Sequence, residues 1–125
     1  MATLRRGEEL STGARAPQGR FRGDALQRML HESSQPHAVR VSVVQFEPGA
    51  ANYWHSHSGG QVLHVISGVG RHQREGEEIE TLRAGDTASV EAGQKHWHGA
   101  AREEAMAHIA VSVGETEWTE EPPPD

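Results

Sequence analysis

Short valine-rich segments, each alternating in polarity and each cut off by glycine or proline, constrain this chain more than any other feature. Residues 38–49 read AVRVSVVQFEPG, an alternating run that ends at Pro48-Gly49. Side chains of period two that stop at a turn signal predict a strand. The same grammar recurs in QVLHVIS at 61–67, stopped by Gly68 and Gly70, and in AMAHIAVSV at 105–113, stopped by Gly114. Between them, residues 70–74 and 77–82 flank Glu75-Gly76 as a hairpin, and residues 87–90 follow the turn at Ala84-Gly85-Asp86. Seven or eight short strands at this spacing predict an all-β barrel or sandwich.

The chain has 125 residues, enough for one domain and too few for two. We divide it into an N-terminal arm at 1–36, a β-barrel at 37–114 and an acidic, proline-rich tail at 115–125. The tail is expected to be disordered. Within the arm, DALQRMLH at 24–31 suits either a short helix or a strand that contacts a partner subunit. The hydrophobic fraction is only 34%, a thin core that would gain from a second copy, so a homodimer or homotetramer is expected. A net charge of −6 without a basic cluster argues against nucleic acid. No apolar run reaches the roughly 18 residues of a membrane span, and no apolar stretch follows the basic N-terminus. A cytoplasmic protein acting on a small molecule, away from membranes, is the expectation. Cysteine is absent, so any metal must be held by nitrogen and oxygen.

Nine histidines stand out in a chain of this length. His55 and His57 are two residues apart, which on a strand sends both imidazoles to one face. Gln61 follows across a glycine-containing bend, and His96 with His98 comes later at the same i, i+2 spacing. In a closed barrel, inward side chains of different strands converge. His55, His57, Gln61 and His96 would then bind one divalent cation per chain. An exposed His-x-His pair is the plainer reading of the first two alone. Imidazole and amide donors without thiolate admit Mn(II), Fe(II), Co(II), Ni(II), Zn(II) or copper.

These residues carry a resemblance. Gly49, His55, His57, Gln61 and Gly68 are similar to the first motif of the cupin superfamily, with Gln in place of the usual Glu. Gly85, Gly93 and His96 fit the second, with Glu91 where Pro is usual and Ala100 where Asn is usual. The resemblance implies a single cupin barrel, a double-stranded β-helix of jelly-roll type. FEPGA and WHSH before Gly60-Gln61, KHWHGAA at 95–101 and AMAHIAVS at 105–112 further resemble the bacterial cupin-type hydroxynitrile lyases. Small cupins associated with carboxymuconolactone decarboxylase-like proteins are similar too. The lyase likeness implies Mn(II) held by the three His and Gln61, with His108 as catalytic base. Those lyases carry Gln where this chain has Ser112.

A neutral amide in place of a carboxylate leaves the cation its full formal charge and favours Lewis acidity over redox cycling. On the strand at 105–113, His108 alternates with Met106, Ala110 and Ser112, small neighbours that leave room for substrate. Ser42, Val44 and Phe46, with Leu63, are expected to form the rest of the substrate wall. His98 or His108 would move a proton, against the plainer reading of hydrogen-bonded core histidines. A cyanohydrin lyase leads these readings; a non-haem metal dioxygenase and a non-catalytic binding protein are the rivals. The hairpin bearing Arg71, Arg74, Glu75 and Glu77 to Glu80 reads as a solvated face. Trp54 and Trp97, each beside a ligand, should point away from the metal.

Overall fold

The computed structural model describes residues 4–7 and 13–125. Those residues contain twelve strands and no α-helix. They are β1 (Ala14–Arg15), β2 (Phe21–Arg22), β3 (Ala25–Ser33), β4 (Val39–Phe46), β5 (Ala51–Asn52) and β6 (His55–His57). The rest are β7 (Gln61–Arg74), β8 (Glu80–Arg83), β9 (Thr87–Val90), β10 (His96–Ala100), β11 (Met106–Val113) and β12 (Thr116–Trp118). No described helix is long and apolar enough to cross a membrane.

All strand pairs are antiparallel, in the order β1-β3-β4-β11-β7-β10-β5-β2. β8 and β9 pair with β7, and β6 bridges β10 to β12. The long strand β7 belongs to both walls. Its first half pairs with β11 and β9, and its second half with β10 and β8. Gly68 makes the corner between them, at φ 77°, where a Cβ would stand 1.9 Å from the Ala105 carbonyl oxygen. Only glycine fits such a place. The two walls curl around one interior, the jelly-roll barrel expected from the sequence.

At the flanks the structure decides one open reading and carries the sheet past the expected barrel bounds. The stretch at 24–31 is strand, not helix: β3 pairs with β4 over nearly its whole length. The sheet therefore starts before residue 37 and ends after residue 114, because β12 pairs residue by residue with the His55–His57 strand. Beyond Trp118 the tail is held down, with Arg22 donating to the carbonyls of Pro123 (2.8 Å) and Pro124 (3.1 Å). Residues 1–3 and 8–12 of the arm lie outside the described residues.

Alternation sorts each strand into an inner and an outer face. Phe21, Val44, Phe46, Val65, Leu82 and Met106 form the main apolar core. Trp54 and Trp97 make a separate cluster with Ala51, and Trp97 alternates along β10 with His96 and His98, which puts it on the opposite face of that strand. On the outside, Leu26, Val62 and Ile66 leave apolar surface in water.

Candidate metal centre and cavity

Three strands bring the histidines together. β6 supplies His55 and His57, β10 supplies His96 and His98 in register with it, and β11 supplies His108. His55 and His96 face each other with ring centroids 4.5 Å apart, and His57 lies 5.0 Å from His55 and 5.6 Å from His96. All five imidazoles are buried.

The hydrogen bonds show which atoms remain free. His55 Nδ1 donates to the Tyr53 carbonyl at 2.7 Å, and His57 Nδ1 meets the Thr116 hydroxyl at 3.0 Å. The Gln61 amide nitrogen donates to Ser112 Oγ at 2.8 Å. His96 Nδ1 meets His72 Nε2 at 3.0 Å, and His72 Nδ1 meets Glu80 Oε1 at 3.3 Å. A carboxylate only accepts, so His72 carries its proton on Nδ1. Its Nε2 must then accept from His96 Nδ1, and the lone pair of His96 is left on Nε2. The atoms remaining on this set include His57 Nε2, Gln61 Oε1 and His96 Nε2, all buried with no partner among the described residues. An unsatisfied buried polar atom costs about 1–3 kcal/mol. Three from one neighbourhood suit a cation that would accept their lone pairs, and nitrogen and oxygen donors of this kind fit a divalent metal.

His98 competes on distance alone, since its ligand atom, that of His55 and that of His96 lie within 4.8 Å of one another. Its hydrogen bonds separate it from His57. Asn52 Oδ1 accepts the His98 backbone N–H at 2.8 Å, so the amide nitrogen of Asn52 must donate to His98 Nε2, at 3.0 Å. The other ring nitrogen, Nδ1, then carries the proton and donates to His108 Nε2 at 2.9 Å. Both nitrogens of His98 are engaged, whereas His57 keeps one free.

Burial holds the imidazoles neutral. It lowers His55 to about 3, helped by the neighbouring His57 and His72, and His57 to about 4, helped by Arg40. His108 is lowered to about 4 by the same cause. His96 is shifted down too, by burial first and then by His55, and His98 by burial first and then by His108.

A cavity of about 360 Å³ opens beside this centre. His55, His57, Gln61 and His98 line it, as do Ser42, Val44, Phe46 and Ser112 of the expected substrate wall. Leu63 does not; it is covered, in register between Ala110 and Ala88. His108 is also off the wall and sits behind Phe46, 5.3 Å between ring centroids, where it holds His98. His96 closes the site from behind.

Several participants went unread in the sequence: Asn52, His72, Thr116 and Arg40. Glu80 was placed on a solvated face, yet although its side chain is 46% exposed it backs His72. The available signal for His72 was its place two residues after Gly70 on the inward phase of a strand. Trp118 packs on His55, with ring centroids 4.5 Å apart.

Comparison with known proteins agrees with this architecture. The Cupin domain family matches residues 42–113. An (R)-mandelonitrile lyase from Granulicella tundricola is 41% identical over 97 residues, covering 78% of this chain and 74% of its own. The crystal structure of a cupin-like protein from Thermotoga maritima superposes with a TM-score of 0.81 at 37% identity, over 86% of this chain and 84% of that one. An acetylacetone dioxygenase from Acinetobacter johnsonii shares the fold, with a TM-score of 0.72 at 15% identity over 94% and 76% of the two chains.

Proposed function

The chain belongs to the cupin family, and from that premise we propose that it is a metal-dependent lyase of the hydroxynitrile type. One divalent cation per chain, Mn(II) foremost, would be held by His55, His57, Gln61 and His96. The observation that carries this reading is that His57, Gln61 and His96 each have one polar atom tied back and another buried without a partner. The 41% identity to a mandelonitrile lyase supports the choice of reaction. Fe(II), Zn(II), Ni(II) and Co(II) suit the same donors. When bound, the cation supplies Lewis acidity to a hydroxyl or carbonyl oxygen.

The chain's own groups would do the rest. His98 lines the cavity as a neutral imidazole, and its Nε2 lone pair, turned to Asn52 at rest, is the proton acceptor. His108 orients it from behind through the Nδ1 hydrogen bond. In cleavage, the cyanohydrin O–H proton passes to His98 and the oxygen electron pair closes the C=O bond. The C–C pair leaves with cyanide, which takes the proton back as hydrogen cyanide. Ser112 turns the Gln61 carbonyl oxygen away from the amide nitrogen that it holds. Val44, Phe46 and Ala110 give the substrate an apolar wall.

Metal-loaded protein incubated with mandelonitrile tests the reading. Benzaldehyde should form, and His98→Ala or His108→Ala should slow it by about 10² to 10⁴, the usual worth of a positioned base. No benzaldehyde above the metal-free protein ends the lyase version. We also propose that the protein works in the cytoplasm as a homodimer or homotetramer that covers the outer face bearing Leu26, Val62 and Ile66. A monomer in sedimentation equilibrium would refute that association.

A further inference from the structure

The cavity is charged in one sense only. The chain carries 18 Asp and Glu, yet among the described residues none lines the cavity, where Arg20 and Arg40 are the charged side chains. No carboxylate lies within ion-pair distance of either arginine among the described residues. Glu32 stands opposite Arg40 in the strand register, but it faces the adjoining groove and makes no ion pair. Arg40 donates through one Nη to Thr116, whose hydroxyl also meets His57, so its guanidinium is held close to the metal ligands. Arg20 lies over the Trp118 ring, 5.3 Å from its centroid.

Arg20, Arg40, Thr116 and Trp118 line both the cavity and the groove outside it, which makes them the rim. His55, His57 and Gln61 form the other end, and Phe21, Val44, Phe46 and Ala110 lie on the wall of the same cavity. The ligand set adds to the imbalance, because Gln61 contributes no negative charge. Glu32 and Glu115 line the groove outside the rim but not the cavity, so the cavity itself, with positive side chains and no described carboxylate on its wall, attracts an anion.

We infer that the substrate carries a carboxylate, held by Arg40 and Arg20 at the rim while its hydroxyl or carbonyl oxygen faces His55, His57 and Gln61. The inference rests on the metal-site reading above and narrows its substrate class to cyanohydrins, and the aldehydes or ketones they release, that also carry a carboxylate across an apolar middle. A carboxylate matches the planar guanidinium in shape as well as charge. Arg40 selects the substrate; it takes no part in bond breaking.

Calorimetric titration of Mn(II)-loaded protein with 4-(hydroxymethyl)benzoate and with benzyl alcohol tests this. The charged compound should bind tighter by on the order of tenfold or more, the worth of one charge-assisted hydrogen bond. Arg40→Gln should remove most of that preference, Arg40→Lys should keep part of it, and Arg20→Gln, at an exposed residue, should remove a smaller share. Equal binding of the two compounds overturns the inference. So does a preference that survives both Arg→Gln variants, since the carboxylate would then be sitting on the metal. Tighter binding of benzyl phosphate than of the carboxylate overturns the chosen class. No turnover enters the measurement, so loss of lyase activity and loss of charge preference are read separately.

Discussion

Two sides of the proposed metal centre are built on different plans. Behind His96, on the β7–β8 side, stand the His72 imidazole and then the Glu80 carboxylate, and each hydrogen bond has only one possible direction. Behind His57, on the β6–β12 side, stands the Thr116 hydroxyl, itself touched by Arg40. A hydroxyl can donate or accept, so it imposes no tautomer on His57. The closed side fixes the lone pair of its ligand before any metal arrives. The open side lets the metal decide. In the proposed centre His96 would thus be the preorganised ligand and His57, which lines the cavity, the adaptable one.

Acid should affect both sides most. The imidazoles of His55, His57 and His108, lowered to about 3, 4 and 4, stay neutral in the fold but gain a proton in the unfolded chain below about pH 6.5. The unfolded state then binds more protons, so stability falls as pH falls. Each group removes up to about 1.4 kcal/mol per pH unit between pH 6.5 and its folded value. Metal-free protein should therefore lose its cooperative urea transition by about pH 4. A midpoint unchanged from pH 7 to pH 4 would show that the histidines are not neutral and buried.

The next largest effect separates the two sides. His72→Phe should weaken Mn(II) binding by about 10- to 100-fold, as loss of a ligand's hydrogen-bond partner does, while Thr116→Val should cost only a few-fold. Equal losses in competition titrations would erase the contrast. Glu80→Gln should fall between them, because a side-chain amide can still accept from His72 but no longer fixes its tautomer. Nitrogen NMR of the metal-free protein sharpens the point. Wild-type His96 should show a protonated Nδ1 and a bare Nε2, and Glu80→Gln should mix the tautomers. The smallest effect belongs to Ser112→Ala, which frees the Gln61 amide to rotate and should weaken Mn(II) binding about three-fold, near the low end for one neutral hydrogen bond.

The barrel and the ligand residues were legible in the chain for different reasons. Alternation and glycine placement predicted β4, β9 and β11 close to where they lie, but split β7 into 61–67 and 70–74, where one strand turns the Gly68 corner, and began β8 at 77, three residues early. The His-x-His spacing on β6 and β10 identified His55, His96 and His98, whose ligand atoms lie within 4.8 Å of one another; His57 and Gln61 belong to the proposed set and line the cavity beside them. What spacing could not give was depth and register. Leu63 and His108 have the inward phase expected of them, but phase does not say whether a residue reaches the cavity or lies behind it. His72 and Glu80 meet because β7 and β8 pair with these two residues directly opposite. Asn52 reaches His98 from a two-residue strand, β5, too short to show any periodicity.

Strand β7 carries Gln61 at its first position and His72 eleven residues later, with the Gly68 corner between them. One continuous backbone therefore serves as a ruler for both a donor and the brace of another donor. Because side chains change sides at every step, inserting or deleting a single residue along this span would turn one of the two outward. Homologous chains can drift freely in the loops around this site, but the length of that strand is not negotiable.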